Sequence, residues 1–305
     1  MSSSANWVAV DWGTSNLRAW GIGADGAVVF ERSSEKGMGK LTKEEFAPAL
    51  LELVGNDGGQ ERQIEVLVCG MAGAKQGWLE APYLEAPADL KSLYQNAVHP
   101  EVTGTTLKVS ILPGVCQRGG DENVMRGEET QLLGLAALRD GYAGMVCMPG
   151  THSKWARLDG TRIEHFSTAM TGEMFEVLRT HSVLRHSLNG PLDGPERADG
   201  FVAGAEDGLD RPEQLLGMLF RVRAGSLLSG RQPAWCAGYL SGLLIGTEIA
   251  SNRHLIGPAA VPLIGSPVLC ELYQQVLGMI GAKGEPQDAT QIVLAGLKAA
   301  RSFAV

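Results

Sequence analysis

A chain of 305 residues, 44% hydrophobic and 20% charged, has globular composition and enough length for two domains. Its net charge of −8 excludes the broad basic field that nucleic acid or an anionic membrane requires, so an anionic ligand must be met by a few local arginines or lysines. No run approaches the ~18 apolar residues of a membrane-crossing helix, and the opening MSSSANWVAVDWG has no basic leader. Five widely spaced cysteines without a C-x-x-C pair point to reduced thiols in a cytoplasm rather than to structural zinc.

Val8 and Val10 alternate with polar neighbours, Gly13–Asn16 turns the chain into Leu17–Ile22, and Asp25-Gly26 turns it into Ala27–Glu31, a predicted β-meander. Thr42-x-x-Glu45 is a capping box ahead of an amphipathic helix to about Val54. Ile64–Cys69 and Leu107–Leu112 are predicted strands, and Glu129–Leu138 a helix that stops near Gly141. At Met145–Met148 a second meander begins, turns at Pro149–Ser153, returns through Lys154–Leu158 and turns again at Asp159-Gly160. A strand–turn–strand unit recurring about 140 residues later predicts two related lobes, 1–140 and 141–305. Helices follow at about Gly172–Leu178, Glu213–Ser226, Trp235–Ser251, Pro267–Ile280 and Thr290–Arg301. The forty glycines, many clustered, suggest repeated close approaches of backbone to a ligand.

Four motifs carry chemistry. In Asp11-Trp12-Gly13-Thr14-Ser15-Asn16-Leu17-Arg18 a small-residue turn can aim backbone N–H groups at a phosphate. There Asp11 can hold a hydrated Mg²⁺ and Arg18 adds positive charge. An ordinary hairpin turn would read the same. Gly150-Thr151-His152-Ser153-Lys154 is a second such turn, and the pair makes a phosphate clamp. Gly127-Glu128-Glu129 opens a helix, where Glu128 can orient a hydroxyl and accept its proton, although the helix dipole alone also favours Glu there. Asp121, in Gly-Gly-Asp, is the rival base. Gly265-Ser266, where a strand enters a helix, can sit under an adenosine. Gly70-Met71-Ala72-Gly73 and Trp78, at a strand's carboxyl end, are the candidate acceptor pocket, with Arg118 and Arg126 the candidate partners of a substrate carboxylate. Gly37-Met38-Gly39-Lys40-Leu41 has a P-loop flavour but lacks its first glycine and its Ser/Thr.

The order of these motifs resembles the actin-like kinase superfamily, which includes hexokinase, glycerol kinase and acetate kinase. More narrowly, VDWGTSNLRAW, CGMAGAKQGW, MRGEETQLLG, PGTHSKW, FSTAMTGEMFEVL and YLSGLLIGTEI, spread over residues 10–249, resemble the 2-dehydro-3-deoxygalactonokinase family. The resemblance implies an α/β, two-lobed actin-like (ribonuclease H-like) fold with a nucleotide cleft between the lobes and a last helix, about 290–301, returning to the first lobe. It implies transfer of the γ-phosphate of ATP, with Mg²⁺, to the 6-hydroxyl of 2-keto-3-deoxygalactonate. Expected partners are ATP and a sugar acid, not nucleic acid or membrane, with a homodimer left open. One departure is that the superfamily generally uses Asp as the base, where this chain has Glu128. A 2-keto-3-deoxygluconate kinase, a non-catalytic actin-like protein and a phosphatase remain as alternatives.

Overall fold

A computed structural model describes residues 5–55 and 63–304; residues 1–4, ahead of the first strand, lie outside them. The chain runs through β1 (Trp7–Trp12), β2 (Leu17–Ile22), β3 (Val28–Ser34), α1 (Phe46–Val54) and β4 (Ile64–Gly70). There follow β5 (Tyr83–Glu85), β6 (Ala88–Asp89), β7 (Leu107–Ile111), β8 (Gly114–Gln117), β9 (Asn123–Met125) and α2 (Glu128–Leu138). Next come β10 (Ala143–Met148), β11 (Ser153–Asp159), β12 (Arg162–Ala169), α3 (Thr171–His181), α4 (Glu196–Asp210), α5 (Leu215–Ser229) and α6 (Pro233–Asn252). The chain closes with β13 (Val261–Ile264), α7 (Pro267–Met279), β14 (Gly284–Gln287) and α8 (Ala289–Ser302). Two compact units result, the first made of Met1–Ala143, Leu158–His165 and Ala289–Val305, the second of Gly144–Arg157 and Phe166–Asp288.

In the first unit the sheet order is β3-β2-β1-β4-β7, antiparallel across β1–β3 and parallel across β1, β4 and β7. Val8, Val10 and Trp12 are fully buried and pack with Phe46 and Leu50 of α1. The capping box forms as predicted: the Thr42 N–H donates to the Glu45 carboxylate at 2.7 Å, satisfying a donor that a helix start leaves open. Trp12, Phe46 and Trp78 form an aromatic cluster with centroids 4.9–6.0 Å apart, so Trp78 is core packing in this unit. α8 lies against α2 at a distance only glycine permits, because a methyl on Gly296 or Gly134 would strike the backbone of the other helix.

The second sheet, of order β14-β13-β10-β11-β12-β6, repeats that strand order from β12 to β14, with parallel pairing of β10, β13 and β14. α4 was not expected from the sequence, since three glycines interrupt its pattern. Those glycines make the helix. A methyl on Gly200, Gly204 or Gly208 of α4 would strike the backbone of α6, and one on Gly238, Gly242 or Gly246 of α6 would strike the backbone of α4. Close helix crossings of this kind are held by dispersion and Cα–H···O contacts that a side chain would prevent. Much of the glycine content therefore serves backbone-to-backbone packing rather than ligand approach.

This packing predicts opposite outcomes for one substitution at two sites. Gly204→Ala drives a methyl into the Tyr239 carbonyl and should lower unfolding stability by about 1–3 kcal/mol. Gly217→Ala, on α5 with open space around it, should raise stability by about 0.5–1 kcal/mol. Urea denaturation of both checks this; equal effects would sink it.

Candidate active site

Asp11 sits one residue from the end of β1, in register with Arg18 on β2 and Cys69 on β4. Burial pushes its carboxyl above the ordinary carboxylate range, while Arg18 and the Cys69 thiol, which donates to Oδ1 at 3.9 Å, pull it back. The Gly13–Asn16 turn closes on a Gly13 N–H to Asn16 carbonyl bond of 2.9 Å, leaving Thr14, Ser15 and Asn16 exposed. Asp11, Gly13–Asn16 and Arg18 line an open polar pocket of about 260 Å³. The segment set aside as a failed P-loop turns out to brace this turn. The Met38 and Gly39 N–H groups donate to the Gly13 and Thr14 carbonyls at 3.0 and 2.9 Å, and a Cβ at Gly37 would overlap the turn's backbone.

Two positive-φ glycines bring the candidate base to Asp11. Gly70 ends β4 at φ +89° and Gly127 precedes α2 at φ +106°, where side chains are strained, and they nearly touch; a Cβ at Gly127 would lie 3.4 Å from the Gly70 Cα. α2 begins immediately beyond. Glu128 is half-buried and its Oε2 accepts from the Arg126 N–H at 3.0 Å; its charge is felt at Asp11. Glu129 is buried, accepting from the Gly127 N–H at 2.7 Å and the Thr130 hydroxyl at 3.1 Å. Burial, and then the charge of Glu128, push its carboxyl up to about 8. Asp121 lies elsewhere, exposed in the β8–β9 turn and separated from Gly127 by the length of β9, about 10 Å of extended chain.

The two candidate arginines part company. Arg118 is exposed and pairs loosely with Glu85 at 3.6 Å. Arg126 is built in: its guanidinium lies 4.3 Å over the Tyr83 ring, Nη2 donates to the Ala81 carbonyl at 2.9 Å, and buried Nε and Nη1 have no hydrogen-bond partner among the described residues. Gly73 makes the room, since a Cβ there would stand 2.8 Å from Nη1, and with Gly70, Met71 and Ala72 it forms the short turn over this arginine.

In the second unit, the Pro149–Ser153 turn is held from two sides. A Cβ at Gly172 would lie 2.5 Å from the Gly150 carbonyl, and one at Gly265 would lie 2.8 Å from the Pro149 carbonyl. The Glu173 N–H donates to Thr151 at 3.0 Å, and the Glu173 carboxylate meets His152 Nε2 at 2.5 Å. Thr151 and His152 are exposed. Ser153 and Lys154 turn inward, the serine to the Tyr273 hydroxyl at 2.8 Å and the lysine to the Thr168 hydroxyl at 2.8 Å. Ser266 caps α7, accepting from the Leu269 N–H at 3.4 Å. Beside the turn lies a mainly apolar cavity of about 160 Å³ lined by Gly150, Gly172, Phe175, Leu244, Leu269 and Leu272, with Arg197 and Ser241 as polar members. The sequence reading missed Phe175, Arg197, Ser241 and Leu244. Phe175 and Leu244 lie in the quoted FSTAMTGEMFEVL and YLSGLLIGTEI stretches, but only the folding of α3 and α6 brings them to one cavity.

Mg²⁺ fits Asp11 on donor chemistry. Among the described residues no group of three or more His, Cys, Asp or Glu side chains could hold a metal, and Mg²⁺ needs only one or two carboxylates, with water and phosphate oxygens completing its shell. Also among the described residues, no helix is long and apolar enough to cross a membrane.

Comparison with known proteins bears on what these sites serve. The chain is 42% identical over 98% of both chains to a Rhizobium meliloti (strain 1021) protein named a probable 2-dehydro-3-deoxygalactonokinase. It is 38% identical over 91% of both chains to the 2-dehydro-3-deoxygalactonokinase of Escherichia coli (strain K12). A crystal structure from Sinorhizobium meliloti, assigned to the same activity, superposes with a TM-score of 0.88 at 41% identity, covering 98% of this chain and 96% of the other. A carbohydrate kinase from Novosphingobium aromaticivorans shares the fold alone, with a TM-score of 0.50 at 11% identity over 97% of this chain and 93% of the other. The model of the 2-keto-3-deoxy-galactonokinase family matches residues 11–300, from Asp11 to the last turns of α8, and the chain belongs to that family.

Proposed function

We propose that this chain transfers the γ-phosphate of ATP to the 6-hydroxyl of 2-dehydro-3-deoxy-D-galactonate, giving 2-dehydro-3-deoxy-6-phosphogalactonate and ADP. The family match over residues 11–300 is the observation that carries this reading. The hydroxyl oxygen bonds to the γ-phosphorus as the bond to the β,γ-bridging oxygen breaks, and the hydroxyl proton passes to Glu128. Phosphoryl transfer needs positioning and charge stabilisation more than covalent help. The Thr14–Asn16 N–H groups and Arg18 supply that charge in the first unit, and Asp11 would hold Mg²⁺, which neutralises phosphate oxygens when bound. In the second unit, the apolar cavity takes the adenosine and the exposed part of the Pro149–Ser153 turn takes phosphate. Arg126 meets the substrate carboxylate beneath the Gly70–Gly73 turn, since buried guanidinium N–H groups without partners are costly until a ligand supplies them. The work is placed in the cytoplasm, where ATP is available and the five unpaired, buried cysteines stay reduced. A coupled assay of ADP release tests the reading. Release should depend on the galactonate and be weaker with its gluconate epimer, whereas release without any sugar acid, or none with it, would overturn the proposal.

Three results follow from the site. Glu128→Gln should lower kcat by about 10²-fold or more while KM for ATP moves only a few-fold, as for a lost transition-state interaction. Asp121→Asn should stay near wild type, and the reverse pattern would make Asp121 the base. Arg126→Lys should raise KM for the sugar acid about tenfold and leave KM for ATP unchanged, while Arg118→Ala changes neither; steady-state kinetics that show no difference between the two would reject the assignment.

The third result concerns Glu129 and pH. Its carboxyl titrates near 8 when folded, against an ordinary 4.5, so the folded chain holds a proton that the unfolded chain releases. The associated stability is fully present below about pH 4.5 and falls as pH climbs towards 8. Relative to Glu129→Gln, the wild type should lose on the order of 2–4 kcal/mol over that window. Parallel stability curves for the two proteins in urea titrations would show the shift to be absent.

A further inference from the structure

Three stretches that carried the family resemblance, PGTHSKW, FSTAMTGEMFEVL and YLSGLLIGTEI, meet in the second unit at one buried carboxylate, Glu248 of α6, which is 5% exposed. Its Oε1 accepts from Trp155 Nε1 of β11 at 2.7 Å, and its Oε2 accepts from the Tyr273 hydroxyl of α7 at 2.7 Å and from the Thr171 hydroxyl at the start of α3. The Tyr273 hydroxyl also meets Ser153 Oγ at 2.8 Å. Burial pushes the carboxyl up, and the hydroxyls of Thr171 and Tyr273 and the Trp155 indole hold it down. A carboxylate collecting three donors at once forms charge-assisted bonds, roughly twice as strong as neutral ones.

The placement of these donors ties the carboxylate to the nucleotide side of the fold. Thr171 and Tyr273 both line the apolar cavity beside Gly150. Thr171 precedes Gly172, which presses on the Gly150 carbonyl, and Glu173, whose N–H holds Thr151. Ser153 ends the same turn. The Thr171–Glu173 flank and the Ser153 end of the turn, with two members of the cavity lining, are therefore anchored to one side chain that does not itself line the cavity.

We infer that Glu248 is the positioning residue of the nucleotide site, fixing the second phosphate turn and the adenosine cavity through Thr171, Tyr273 and Ser153. This rests on the ATP-dependent reading above. Because the two arms of the network share a carboxylate, their losses should not multiply.

The test is MgADP binding by calorimetry, with steady-state kinetics, on Glu248→Gln, Tyr273→Phe and the double variant. Each protein is first shown to be folded above the assay temperature. Glu248→Gln should raise Kd for MgADP and KM for ATP about tenfold, Tyr273→Phe about threefold, and the double variant no more than Glu248→Gln alone. KM for the sugar acid should be unchanged in all three. A folded Glu248→Gln protein with wild-type MgADP affinity would overturn the inference, as would effects that multiply in the double variant. If Glu248→Gln does not fold, Tyr273→Phe decides, since it removes one hydroxyl and keeps the ring. Wild-type protein that binds no MgADP would overturn the functional reading itself, and this inference with it.

Discussion

Backbone brought against backbone, with no Cβ in the way, is the constraint on which the rest of this molecule depends. It sets the α4–α6 and α2–α8 crossings, and it recurs wherever the candidate site is built. Gly37 backs the Gly13–Asn16 turn, Gly172 and Gly265 back the Pro149–Ser153 turn, and Gly70 meets Gly127 where β4 and α2 come together. A phosphate-gripping turn works by pointing N–H groups at a ligand, so its carbonyls must be held from behind by something that takes little space. Bare Cα atoms take up that little space behind both turns.

Charge is handled with similar economy. A chain of net charge −8 that acts on anions cannot rely on its overall field. Asp11, Glu128 and Glu129 converge near one another, and burial separates their roles. Glu129, sealed among the Gly127 and Thr130 donors, retains its proton up to about pH 8. Burial thus favours the protonated form of Glu129, while Glu128, beside it at the start of α2, is only half-buried. Environments that push neighbouring carboxyls apart are how one acidic pair divides its tasks.

Both meanders, α1 with its capping box, and α3, α5, α6, α7 and α8 were legible in the sequence, because each announces itself within a dozen residues through period, cap or turn. What escaped was whatever depends on a distant partner. α4 reads as broken by glycine until α6 is placed against it. Ser153 and Lys154 belong to a phosphate-turn motif by spelling, yet both side chains turn inward, and only the packing of α7 and β12 decides that. The Gly37–Lys40 stretch has a P-loop flavour in sequence, and in the fold it braces the Gly13–Asn16 turn. Arg118 and Arg126 looked alike in sequence; Tyr83, Ala81 and Gly73 make the difference.

The repeated strand order gives each unit a turn at the same topological position, yet the two turns are furnished differently. At the end of β1 stands Asp11, open to a polar pocket, with Arg18 alongside. At the end of β10 stand Cys147 and Met148, both buried, and beyond them an apolar cavity. The acid at the first turn stands on the strand itself, whereas the carboxylate nearest the second, Glu173, comes from α3 and is engaged by His152. The first turn's pocket is lined by polar residues, whereas the second borders the mainly apolar cavity. Similar backbones, given one acid on one copy and a ring of aliphatic side chains on the other, present a polar pocket in one unit and an apolar cavity in the other, because side chains, not topology, decide what lines each turn.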